Sequence, residues 1–141
     1  MDIKQLSDIQ IRSFQDSTAR INIFEGPVRA GKSFIALLRW VDFCRTGPKG
    51  PLVICGRTDK TIKRNIINPL QELVGDAVKY SSGKGEVQMF DRIMYVIGAN
   101  DDRAEAKIRG SEFAGALIDE LTLLPENFCK MLLSRLSIPK A

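Results

Sequence analysis

Apolar positions along the chain fall into short runs and helical stripes, and their spacing predicts alternating strands and helices. Ile21-Asn22-Ile23-Phe24-Glu25, Pro51-Leu52-Val53-Ile54-Cys55-Gly56 and Phe113-Ala114-Gly115-Ala116-Leu117-Ile118 read as strands, the last two buried. Between the first two, Phe34, Ile35, Leu37, Leu38, Trp40, Val41, Phe43 and Cys44 lie nearly all round a helix, which predicts burial against a sheet. Thr46-Gly47-Pro48 stops that helix. Residues 58–74 place Ile62, Ile66, Leu70 and Leu73 on one helical face, with Gly75 as the C-cap and Pro69 kinking or restarting the helix. Near the start, Ser7 caps a short helix carrying Ile9, Ile11 and Phe14, and Ser17-Thr18 ends it.

Three further pieces, Val78-Lys79-Tyr80, Glu86 to Phe90 and Ile93 to Ile97, are short and β-like, with turns at residues 81–85 and at Asp91-Arg92. They predict an antiparallel addition to the sheet. Residues 98–113 are polar and of mixed charge, with Arg103, Lys107 and Arg109 ahead of Gly110. After a loop from Leu121 to Leu124, Pro125 opens a helix carrying Phe128, Met131, Leu132 and Leu136. The pattern is α/β: a mainly parallel sheet flanked by helices, with a short antiparallel addition.

Composition narrows the class without deciding it. The 141 residues are enough for one domain with a real core but short for two. Hydrophobic residues make up 44% and charged residues 27%, which is ordinary for a globular protein. A net charge of +4 is compatible with a polyanionic partner and demonstrates none. The three cysteines, Cys44, Cys55 and Cys129, lie in apolar surroundings without C-x-x-C spacing, so they read as reduced core residues of a cytosolic protein. With no histidine, histidine triads and His-ligated metals are excluded. No leader segment and no apolar run near ~20 residues is visible, so a soluble protein is expected.

The candidate chemistry centres on Gly26-Pro27-Val28-Arg29-Ala30-Gly31-Lys32-Ser33, which fits the phosphate-binding loop G-x-x-x-x-G-K-[ST] in the strand–loop–helix setting that the motif requires. Its glycines let successive backbone N–H groups turn toward a phosphate, and the helix that follows adds its positive end. Lys32 then neutralises charge on the β- and γ-phosphates of ATP, and the Ser33 hydroxyl ligates Mg²⁺. Arg29, inside the loop, either reaches the γ-phosphate or a neighbouring subunit, or points to solvent or pairs with a nearby acid. Gln10 has two readings of equal weight, an exposed helix residue or an amide pairing with adenine. Arg57, at a strand end, is either a phosphate or DNA contact or a solvated arginine. Lys60, Lys63 and Arg64 read as a solvated helix face.

A second motif sharpens the first. Ala116-Leu117-Ile118 runs into Asp119-Glu120, an apolar strand ending in two acids. Asp119 would hold the Mg²⁺ shell with Ser33, and Glu120 would polarise the attacking water. Enzymes that pass phosphate to a bound hydroxyl do not need that second acid, so ATP hydrolysis coupled to motion is favoured.

Four stretches resemble the ATPase domain of tailed-phage terminase large subunits, the motors of viral DNA packaging. They are the run from Gln10 to Ile23, the loop 26–33, Gly56-Arg57-Thr58 with Asn65 to Leu73, and Lys107-Ile108-Arg109-Gly110 through Asp119-Glu120 to Phe128. The resemblance implies a RecA/ASCE-like P-loop fold. It matches Gln10 to an adenine contact, Lys32 and Ser33 to nucleotide and metal ligands, and Glu120 to the catalytic carboxylate. Arg29 is then the candidate arginine finger. The partners it implies are double-stranded DNA, a small terminase, a portal protein and further copies in a ring, in the host cytoplasm. Such subunits continue with a coupling motif and a nuclease domain, which this sequence lacks. The expectation is a partial ATPase domain over 1–141, with residues 1–20 on the adenine side and 21–141 forming sheet and helices. Its sheet would be incomplete at the C-terminus and completed by another chain. A silent nucleotide-binding fragment and a helicase-like ATPase are the other readings.

Overall fold

The computed structural model describes residues 7–16, 20–23 and 32–141, which form two units divided between Thr46 and Gly47. In the first unit, α1 (Asp8–Asp16) is closed by a capping box. Ser7 Oγ accepts from Gln10 N at 3.2 Å, and Gln10 Oε1 accepts from Ser7 N at 2.9 Å. None of its residues is buried, and Ile9 is 76% exposed. The guanidinium of Arg39 lies 5.0 Å over the Phe14 ring. Arg39 belongs to α2 (Lys32–Thr46), which buries Ile35, Leu37, Trp40 and Cys44 while Phe34, Leu38, Val41 and Phe43 remain half-buried.

The strand expected from Ile21 is not formed by the described residues. Ile21 to Ile23 are not in a strand, Ile21 and Ile23 are 55% and 69% exposed, and Phe24 and Glu25 lie outside the described residues. A β-rich run becomes a strand only when a neighbouring edge takes up its backbone groups, and local propensity does not replace that partner.

In the second unit, five strands are arranged in the order β2-β3-β4-β1-β5. They are β1 (Leu52–Gly56), β2 (Val78–Ser81), β3 (Glu86–Met89), β4 (Arg92–Gly98) and β5 (Gly115–Ile118). β1 is parallel to both neighbours, with Leu52 opposite Met94 of β4 and Gly115 of β5. β2, β3 and β4 form the antiparallel addition. The last of those pieces is therefore more than an appendage: β4 joins the addition to the parallel core. Every residue of β1 is buried, as a strand covered on both faces must be.

Alternation along the strands assigns the two faces. Val53, Cys55 and Ile97 share a core with Ala104 and Ile108 of α5 (Ala104–Arg109), and with Phe128 and Leu132 of α6 (Glu126–Ser134). Gly56 faces the other way, where a Cβ would come within 2.6 Å of Ile62. Ile62 ends α3 (Asp59–Ile62), which continues through a π-helical turn, Lys63–Ile67, into α4 (Asn68–Val74). Pro69 has no N–H to give the Asn65 carbonyl, so the ladder slips and Asn68 N bonds Lys63 O instead. The extra residue lets Ile66 and Ile67 both be buried, and Gly75 closes α4 at φ 74. α5 was not legible in the polar stretch because only Ala104 and Ile108 mark its inner face. Pro125 sits one residue ahead of α6, as its N-cap.

Candidate functional site

Parallel pairing brings the C-terminal ends of β4, β1 and β5 to one edge of the sheet. Gly56 stands opposite Gly98, and Cys55 opposite Ile118. The segments that follow these strands carry Arg57-Thr58-Asp59, Ala99 to Asp101, and Asp119-Glu120. Helices after β1 and β4 leave to opposite faces, the arrangement in which α/β sheets bind ligands.

Asp119 continues the ladder beyond β5, its N–H donating to Cys55 O at 2.9 Å. Its half-buried carboxylate accepts from Asn65 Nδ2 at 2.9 Å through Oδ2, and Asn65 Oδ1 in turn accepts from Arg64 Nε at 3.3 Å. Glu120, the next residue, is exposed and sits in the left-handed region at φ 50, ψ 53. A non-glycine residue there costs roughly 1–3 kcal/mol and is retained where the surroundings impose it. The turn Leu121–Leu123 imposes it here, with Leu123 N donating to Glu120 O at 2.9 Å. Among the described residues the Glu120 carboxylate has no polar partner. One acid is held and the other is presented.

At the ends of β1 and β4 lies an open hollow of about 330 Å³ lined by Thr58, Asp59, Lys60, Gly98, Asn100 and Asp101. Thr58 caps α3 in a capping box with Thr61. Asp59 Oδ1 accepts from Gly98 N at 3.2 Å, and a Cβ on Gly98 would lie 2.9 Å from Asp59 N. Asp101 is held below the ordinary carboxylate range by the Arg103 backbone N–H, with the Arg103 and Lys107 charges beside it. Arg103 and Lys107 thus serve Asp101, and Arg109 pairs with Glu105 at 3.6 Å. Arg57, exposed at the end of β1, accepts from Asn100 N at 3.0 Å through its carbonyl, and its guanidinium has no partner among the described residues.

The other sequence-derived candidates divide. Gly26, Pro27, Val28, Arg29, Ala30 and Gly31 lie outside the described residues, as do the side chains of Lys32 and Ser33. The backbone of Lys32 opens α2, so a helix begins where the loop motif requires one. Gln10 uses its carbonyl oxygen in the cap of α1. Asn65, which the sequence marks only as the start of a resembling stretch, has no legible role there, because its contact spans 54 positions. Among the described residues no three acidic or thiol side chains gather to hold a metal. Mg²⁺ needs no such cage, since one or two protein oxygens with water and phosphate suffice, and a carboxylate at Asp119 fits that donor set. No helix of the described residues is long and apolar enough to cross a membrane.

No protein-family model and no curated protein matches the sequence. Solved structures do share its fold. The large terminase of a thermophilic bacteriophage matches with a TM-score of 0.81 and 23% identity, over 96% of this chain and 37% of that one. The same phage protein in complex with ADP matches with a TM-score of 0.79 and 22% identity, over 96% of this chain and 37% of that chain. The large terminase ATPase domain of Thermus phage P74-26 matches with a TM-score of 0.64 and 17% identity, over 93% of this chain and 61% of that one. The chain thus spans 37% of the length of the first of these terminases. Its mixed five-stranded sheet and helices have the fold found in phage large terminases.

Proposed function

We propose that this chain is the ATP-binding and hydrolysing part of a viral DNA-packaging terminase, a partial P-loop ATPase domain that serves translocation of double-stranded DNA. The observation that carries the reading is the edge formed by β1 and β5, where Asp119 is anchored and Glu120 is presented in a strained conformation. The terminase fold, the binding of ADP and ATP-gamma-S by the thermophilic phage terminase, and the loop motif at 26–33 support it.

In this reading the backbone of Gly26, Pro27, Val28, Arg29, Ala30 and Gly31 cradles the phosphates, with Lys32 offsetting their charge. Ser33 and Asp119 hold Mg²⁺, which when bound neutralises charge developing on the phosphate oxygens. Glu120 orients water and accepts its proton, a task suited to a carboxylate without a competing partner. Arg29 stabilises the transferring phosphoryl group, and such arginines contribute ~10³–10⁵ in rate. Gln10 contacts adenine with its amide N–H₂, while its Oε1 stays in the helix cap. Small terminase, portal, further copies in a ring and the remainder of a large subunit are the partners this role requires, in the host cytoplasm.

The test is Glu120→Gln in the 141-residue chain, assayed with its complementing segment and DNA. Hydrolysis is expected to fall by ~10²–10⁴ while ATP affinity stays within about twofold. Retained hydrolysis removes Glu120 from its role. A second reading, a chain that binds nucleotide without turnover alone, is favoured by the exposure of Ile21 and Ile23 and their lack of strand pairing. Binding without hydrolysis by the isolated chain, with hydrolysis restored on complementation, identifies it.

A further inference from the structure

We propose that Asn65 is a positioning residue for Asp119, fixing one carboxylate oxygen so that the other stays available to the hydration shell of a nucleotide-bound divalent cation. This rests on the proposed nucleotide site and adds a residue to it. A carboxylate on a half-buried strand end can rotate about its last torsion, and each orientation offers a different oxygen to the metal shell. Asn65 Nδ2 at 2.9 Å from Oδ2 selects one orientation, while Oδ1 takes no hydrogen bond among the described residues.

The amide is itself fixed. Arg64 Nε donates to Asn65 Oδ1, which leaves Nδ2 as the group facing Asp119 and excludes the flipped amide. The backbone carrying Asn65 is the π-helical turn Lys63–Ile67, anchored beneath by Ile62, Ile66 and Ile67. π turns of this kind are frequent at functional sites. A bond from an exposed arginine through an amide to the carboxylate gives Asp119 a partner without a second full charge beside it, so its negative charge remains for the cation. Arginine placed directly on Asp119 would compete with the metal, and asparagine does not.

The experiment measures binding of a fluorescent ATP analogue to the full 141-residue chain, in Mg²⁺ and in EDTA. It compares the unaltered chain, Asn65→Leu, Asp119→Ala and the double variant. Asn65→Leu is close in size; Asn65→Ser takes its place if the leucine variant melts early. Partners of metal-ligating groups typically carry 10–100-fold in metal affinity, so Asn65→Leu is expected to weaken binding in Mg²⁺ on the order of tenfold. Affinity in EDTA should be unchanged, and the substitution should add nothing on the Asp119→Ala background. Unchanged binding in Mg²⁺, equal weakening in EDTA, or full additivity with Asp119→Ala overturns the positioning role and leaves the nucleotide site standing. Absence of binding by the unaltered chain in both conditions overturns the site and this role together.

Discussion

α1 and α6 are both nine residues long, and they are supported in opposite ways. α1 has a full capping box and buries none of its residues. α6 has no side-chain cap hydrogen bond and sinks Phe128 and Leu132 into the core beneath β1 and β4. The difference extends to the candidate chemistry of each unit. Asp119-Glu120 inherits its geometry from pairing with the buried β1 and from a long-range amide contact. Gln10 inherits its geometry from a single local turn. Tertiary burial outweighs local capping in magnitude, because a buried leucine contributes a few kcal/mol and a cap about one.

Removing a side chain from the packed helix is the strongest way to break the comparison. Leu132 is fully buried, so Leu132→Ala should cost about 2–5 kcal/mol in urea unfolding, enough to unfold a marginal domain. The matched change in α1, Ile9→Ala at a 76% exposed position, should stay within about 0.5 kcal/mol. Equal losses would mean that α1 is buried in solution.

Alkaline pH probes the burial of β1. Burial, with a smaller effect from Cys129, pushes the Cys55 thiol from 9.0 up to about 12. A folded value above the unfolded one means that the native state holds its proton longer. The stability from this group is therefore complete below pH 9 and lost as pH rises from about 9 toward 12. Thiol labelling at pH 8 to 9 should modify the half-buried Cys129 well before Cys55, and matched rates would contradict the burial of β1.

The smallest effect sharpens the comparison from the other side. Ser7→Ala removes the cap of α1 at a cost of about 0.5–2 kcal/mol. With nothing buried on that helix, the loss should be local. Amide exchange across residues 8–16 should accelerate while the global melting temperature barely moves. A shift of several degrees would show that α1 is part of the cooperative core.

What the sequence disclosed follows the same division. β1 is legible because a strand buried on both faces is a continuous apolar run. β5, expected to be buried as well, buries only Gly115 and leaves Ala116 to Ile118 half-buried at the end of the sheet, yet its short apolar run still marks the strand that leads into the two acids. The turns expected at Ser81 to Gly85 and at Asp91-Arg92 separate β2, β3 and β4, although Ser81 ends β2 and Arg92 opens β4, and the pairing of β4 with β1 is a tertiary choice that spacing does not encode. The π turn is foreshadowed only by Pro69, and its consequence, Asn65 against Asp119, depends on how the helix lies over the sheet. The run from Ile21 to Glu25 reads as a strand by propensity, and its described residues, Ile21 to Ile23, are not in one, because strand formation depends on a neighbouring edge as well as on the run itself.

The proposal at the centre is that Asp119 helps to hold the Mg²⁺ of a bound nucleotide. Titration of ATP into the 141-residue chain and into Asp119→Ala, each with Mg²⁺ and with EDTA, tests it most directly. The account predicts that Mg²⁺ tightens binding to the unaltered chain and that Asp119→Ala erases that gain, on the order of tenfold or more, with binding in EDTA preserved. Identical Mg²⁺ dependence in the two proteins, or no nucleotide binding by either, would contradict it.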